Sequence, residues 1–173
     1  MPNQTDVDIY PDIMAWLGRV LGRKFPKATV DVRDTRGSSL NHYIRGHGLQ
    51  NYFHSQIWQT FEIRVDITAF LVYKGQPGLV FLQHKVVPIT FFHISQLLGY
   101  SRVALPLSSY LVSSTGIGSS VQSLITKYDR SDILEYQWEK GQLPRKIIIA
   151  KWDYSSKSID SNSVLPPGSS GQL

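Results

Sequence analysis

The chain contains no cysteine, which excludes disulfides, thiolate metal sites and cysteine nucleophiles together and leaves only oxygen or imidazole ligands for any metal. It has no run of the roughly 18 apolar residues that a membrane span needs. Its opening, MPNQTDVDIYPD, lacks the basic start and apolar stretch of a signal peptide. A soluble, intracellular (cytoplasmic) protein with no membrane partner is expected. A GxSxG elbow is missing, as are HExxH and HxxxH pairs, so His42, His47, His54, His84 and His93 read as polar or packing contacts and not as a zinc site. STGIGSS precedes a helical pattern but lacks the lysine of a P-loop. Charged residues are scarce at 18%, and there is no internal repeat and no Lys/Arg tract.

What is present fits one domain. At 173 residues with 42% hydrophobic content the chain can bury a single core. We assign 1–155 to one domain and expect 156–173, SKSIDSNSVLPPGSSGQL, to be a disordered or loosely packed low-complexity tail. Eighteen Lys and Arg against 13 Asp and Glu give a formal charge of +5, which favours polyanionic partners. The basic residues are scattered in short groups such as VRDTR and YIRGHG.

The periodicities follow in order. Ile13, Trp16, Leu17, Val20 and Leu21 lie at helical spacing after Pro11 and Asp12. Val30 and Val32 alternate with Asp31 and Arg33 as in a half-buried strand. Gly37 to Thr60 reads as a long loop with a helical turn or two, either a binding loop or a plain connection over the core; its aromatics Tyr43, Tyr52, Phe53 and Trp58 fit both. Then come strand FEIRVDITAFLVY, turn KGQPG, strand LVFLQHKVV and a helix in PITFFHISQLLGYS. The last elements are strand RVALPLSSYLVSS, a helix around Val121, Leu124 and Ile125, and strand RKIIIAKWDYS. The expected class is α/β, with a central mixed β-sheet flanked by helices.

The polar residues of the hairpin carry the chemistry. Strand alternation sets Glu62, Arg64, Asp66 and Thr68 on one face, and Leu79, Phe81, Gln83 and Lys85 on one face of the next strand. A turn centred near Gly75 and Gln76 would set Asp66 opposite Lys85 and Thr68 opposite Gln83, about 5 Å apart at Cβ. A carboxylate and an amide oxygen are ligands for a hard cation, and an ammonium beside them stabilises charge on a phosphoryl group. The same residues also read as an ordinary cross-strand ion pair with a polar neighbour.

An Asp, a gap of a dozen or more residues, then Gln-x-Lys on the following strand resembles the PD-(D/E)xK nuclease superfamily, with QxK in place of (D/E)xK. The resemblance covers Tyr10 to Ser114 and includes the element order, since the restriction-endonuclease-like core runs αβββαβ. Gln96 and Tyr100 in QLLGY, four apart on a helix, are similar to the Gln…Tyr motif of the RecB-like branch. The resemblance implies a metal-dependent DNA endonuclease using Mg²⁺, with Mn²⁺ as substitute. Asp66, Gln83 and Lys85 would be catalytic, Asp66, Gln83 and Asp12 would be metal ligands with Glu62 as second choice after Asp12, and Gln96 and Tyr100 would lie at the substrate. It also implies DNA as partner and a homodimer or higher homo-oligomer. The alternative of the same fold is a non-catalytic DNA-binding or assembly protein, because Gln83 stands where an acid is usual and no proline precedes Asp66. A structural or interaction domain with no nucleic-acid role is the third reading.

Overall fold

Helix α1 (Tyr10–Lys24) begins with Pro11 in its first turn, carries Asp12 at its positive end and Arg23 and Lys24 at its negative end, and buries Ile13, Trp16, Leu17, Val20 and Leu21 along one stripe. That stripe lies on a seven-stranded mixed sheet, where Trp16 meets Tyr110 and Trp152 edge-on at 6.0 Å each. The computed structural model describes residues 9–137, 140–141 and 143–169. The N-terminal octet, on which the expectation about a leader partly rested, lies outside them.

The strands are β1 (Thr29–Asp34), β2 (Ile67–Tyr73), β3 (Gln76–Lys85), β4 (Ser108–Ser113), β5 (Glu135–Gln137), β6 (Arg145–Asp153) and β7 (Ser158–Ile159). Their spatial order is β1-β2-β3-β4-β6-β5, with β7 also on β6. β1, β2 and β3 are antiparallel neighbours, β3, β4 and β6 run parallel, and β5 and β7 pair antiparallel to β6. Val80, Leu82, Tyr110, Val112, Ile148 and Ala150 point to the α1 layer. The intervening Phe81, Leu111, Ile147 and Ile149 point to the other layer, built from α2 (Leu40–Gly46), α3 (Phe91–Ala104) and α4 (Ser119–Thr126). The expected α/β class with a mixed sheet between helices is therefore what the chain forms. Among the described residues no helix is long and apolar enough to cross a membrane.

Four expectations need correction. The hairpin turns on Lys74 and Gly75, with φ of 53° and 74°, and Tyr73 pairs with Gln76. Two successive positive φ values define the tight turn whose twist matches the strands. Pro77 then falls opposite Val72, where its missing N–H faces away from β2. Thr68 consequently faces Phe81 and not Gln83, and Asp66, one step beyond the Ile67–Leu82 pair, comes level with Gln83 and not with Lys85.

The strand expected from Phe61 starts only at Ile67. Phe61, Ile63 and Val65 enter the α3-side core, whereas Ile67, Ala69 and Leu71 enter the α1-side core, so the chain rolls over at Asp66. Glu62 and Arg64 point to solvent and do not share a face with Asp66.

The strand expected from Arg102 begins at Ser108 because α3 continues through Ala104. It stops at Leu105, φ 49°, just ahead of Pro106, a residue that disfavours helix before it.

Residues 156–169 are not a loose tail. β7 and Leu165 pair with the outer edge of β6, and Ile159, Val164 and Leu165 are buried. An open strand edge in a parallel sheet is a pairing hazard, and this segment covers it. Residues 170–173 of the expected tail lie outside the described residues.

Candidate functional site

β2 and β3 part where the sheet's carboxyl edge is formed by the ends of the parallel strands, and Asp66 sits at that fork. Its Oδ2 accepts the main-chain N–H of His84 at 2.8 Å and lies 3.5 Å from the Tyr10 hydroxyl. Its backbone is held as well, since Thr35 N–H donates to Asp66 O and the Thr35 hydroxyl bonds Val65 O and Thr68. Burial pushes the Asp66 carboxyl above the ordinary carboxylate range. The His84 N–H, the charges of Lys85 and Arg36, and the Tyr10 hydroxyl oppose that rise without cancelling it.

Alternation along β3 sends Gln83 to the α3 side beside Phe81, where it is 3% exposed and its Oε1 has no hydrogen-bond partner. An unpaired buried amide oxygen costs about 1–3 kcal/mol. Lys85, half-buried at the end of β3, acts on Asp66 through space, and its charge adds to burial in lowering the His93 imidazole at the start of α3. Among the described residues Lys85 has no ion-pair partner, so the simple cross-strand salt bridge to Asp66 is not formed.

The other expected residues stand apart from this group. Asp12 accepts a hydrogen bond from Lys157 at 3.0 Å, and Tyr10 is the α1 residue that reaches Asp66. Gln96 donates from Nε2 to the Tyr100 hydroxyl at 3.1 Å, an i, i+4 pair on α3, with no hydrogen bond to Asp66, Gln83 or Lys85 among the described residues.

Two contributors escaped the sequence reading. The Arg36 guanidinium lies 3.4 Å from the Tyr10 ring centroid while gripping Asp34 with two bonds of 3.0 and 2.6 Å. Nothing in the spacing of VRDTR singles it out. His84, which sequence parity placed on the packing side, meets Tyr10 edge-on at 5.8 Å and bonds Ser114 at 2.6 Å, and Ser114 accepts from the Tyr154 hydroxyl at 2.8 Å.

As for metal, no group of three His, Asp or Glu side chains gathers among the described residues. The oxygen donors here are the Asp66 carboxylate, which accepts from His84 N–H and lies near Tyr10 on the α1 side, and the Gln83 Oε1, which turns to the α3 side. Comparison with known proteins adds no relative: no family model, no curated protein and no solved structure matches this chain.

Proposed function

We propose that the protein is a metal-dependent DNA endonuclease with a restriction-endonuclease-like core, hydrolysing phosphodiesters at the Asp66, Gln83 and Lys85 fork. The observation that carries this reading is the buried Oε1 of Gln83, without a hydrogen-bond partner among the described residues, on the strand whose His84 N–H holds the half-buried Asp66 carboxylate and whose end carries Lys85. The order α1, β1, β2, β3, α3, β4 supports it, because it follows the helix, three strands, helix, strand of that core with α2 inserted between β1 and β2.

The donor set fits a hard cation. Mg²⁺ prefers oxygen, needs only one or two protein carboxylates and keeps several waters. Asp66 and Gln83 would hold it, and bound there it would polarise the phosphodiester and make a water more acidic. The protein's own residues then do the rest. His84 N–H fixes one carboxylate oxygen so that the other is free to turn toward the ligand. The Lys85 ammonium offsets negative charge building on the scissile phosphate. Tyr10 and Arg36 close the α1 side of the fork. Cutting both strands of a duplex in one encounter takes two such sites, hence two copies of the chain.

Plasmid nicking with Mg²⁺ or Mn²⁺ tests this. Wild type should nick and Lys85→Ala should not; equal cutting by both, or none by either, sinks the catalytic reading and favours the non-catalytic DNA-binding alternative.

A further inference from the structure

Several large apolar side chains that fill no core lie beyond the same edge of the sheet. Val86, Val87, Phe91 and Phe92 follow Lys85 in the chain and are 47%, 50%, 41% and 73% exposed. Phe91 and Tyr128, the latter 62% exposed, share a cavity of about 460 Å³ completed by Ser119, Ser120, Ser123 and Leu124.

Topology joins that cavity to the fork. Phe91 opens α3, which follows β3, and Ser119 opens α4, which follows β4; β3 and β4 are parallel, so both helices start at the sheet edge where Lys85 ends β3. Crevices outside the carboxyl ends of parallel strands are where open α/β sheets bind ligands. The two lead-in segments are fixed to each other, with Ile89 N–H donating to Gly116 O at 3.0 Å and Gly118 N–H to Ile89 O at 2.9 Å. A Cβ at Gly118 would lie 2.8 Å from that same carbonyl, so glycine permits the close approach. The cavity is thus built into the fold.

Its lining suits a flat aromatic ligand with polar edges. Two aromatic rings and Leu124 offer flat apolar surface, three serines offer hydroxyls, and among the described residues no acidic one lines it. The Lys127 ammonium stands 5.5 Å from the Tyr128 ring centroid. Aromatic faces beside cations are how proteins hold unstacked bases, and about 460 Å³ lies within the roughly 300–1,000 Å³ of small-molecule pockets.

We infer that the Phe91–Tyr128 cavity takes an unpaired nucleobase, so that the preferred substrate is single-stranded DNA or a single-stranded stretch of a branched molecule. A continuous duplex hides its base faces and could offer nothing to stack. The inference rests on the nuclease reading for its partner class and deepens it.

The test is fluorescence anisotropy in EDTA, where no cutting occurs, with a short labelled oligothymidylate and a duplex of equal length. Wild type should bind the single strand more tightly. Tyr128→Ala and Phe91→Ala should each weaken single-strand binding by about fivefold to a hundredfold, the range for losing one base stack. Tyr128→Phe should bind as wild type, and circular dichroism confirms that each variant is folded. Failure of wild type to bind the single strand, equal affinity for both DNAs, or no effect of either alanine overturns the inference. The two readings separate cleanly: nicking lost in Lys85→Ala with alanine-insensitive binding leaves the nuclease and removes the base pocket. Aromatic-dependent binding with no nicking does the reverse.

Discussion

The N–H of His84 donates to Oδ2 of Asp66 at 2.8 Å, so at the fork of the hairpin a side chain replaces the carbonyl that would accept it inside a ladder. The carboxylate is thereby tied to the strand that carries Gln83 and Lys85, and its protonation becomes a property of the fold.

Burial raises the Asp66 carboxyl above its unfolded value of about 3.9. A raised folded value means that its contribution to stability is complete below the unfolded value and is lost as pH climbs through the folded one. At neutral pH the half-buried anion is therefore a burden. Asp66→Asn, which keeps an oxygen for His84 N–H, should be more stable than wild type at pH 7 and should lose that advantage below about pH 4. Asp66→Ala strands the N–H and should fall about 1–3 kcal/mol below Asp66→Asn. Urea unfolding across pH measures all three, and an Asn variant no better than Ala at pH 7 would contradict the account.

Gln83 should behave unlike most buried polar residues. Because its Oε1 has no partner, Gln83→Leu should be neutral or stabilise by about 1 kcal/mol, and thermal melting shows which. Gln83→Glu should melt lower without metal and gain more from Mg²⁺ than wild type does, since a ligand that binds only the folded form raises its stability. An identical Mg²⁺ response from Gln and Glu would remove position 83 from the ligand set.

The His84, Ser114, Tyr154 chain links β3 to the end of β6 through hydroxyls. Tyr154→Phe deletes one bond from a partly exposed ring and should cost about 0.5–1.5 kcal/mol. Ser114→Ala deletes both bonds and should cost more. Chemical denaturation decides, and a Ser114→Ala loss no larger than that of Tyr154→Phe would show the two bonds do not act in series.

Ending the chain after Asp153 would uncover the outer edge of β6 and remove buried Ile159, Val164 and Leu165. Each fully buried aliphatic is worth about 1.5–3 kcal/mol, so the shortened protein should unfold at clearly lower denaturant and associate at concentrations where the full chain does not. Unchanged urea midpoints and sedimentation would refute this.

The helical stripe of α1 and the alternation in β3 and β6 were legible because a half-buried element imposes its period on every apolar residue it carries. The hairpin register was not. Gln76-Pro77-Gly78 looks like a turn, whereas the real one puts Lys74, a residue with no preference for positive φ, in the left-handed region. The roll at Asp66 was hidden for a related reason: Phe61 to Thr68 alternates without a break, and only the two cores show that its odd-numbered residues face one layer before Asp66 and the other after it. In the C-terminal segment the abundance of serine masked three apolar residues spaced to sit on one strand edge. Gln83 and Lys85 keep the common face that strand parity gave them, whereas the roll at Asp66 takes its carboxylate out of that alternation, to the His84 N–H and the Tyr10 hydroxyl. Tyr10 and Arg36 left no pattern to find, since each reaches the fork by tertiary packing alone.

The roll at Asp66 also divides the hairpin arm into two regimes of tolerance to length change. Ahead of it, residues 61–65 are outside the ladder but Phe61, Ile63 and Val65 are buried and the Phe61 and Ile63 carbonyls accept from the start of α2, so an inserted residue there would displace up to three core side chains and leave the ladder register intact. Behind it, one extra residue between Ile67 and Tyr73 would turn every following side chain to the opposite layer. A change of length thus costs local packing in the approach and the whole register in the strand, and Asp66 marks the border.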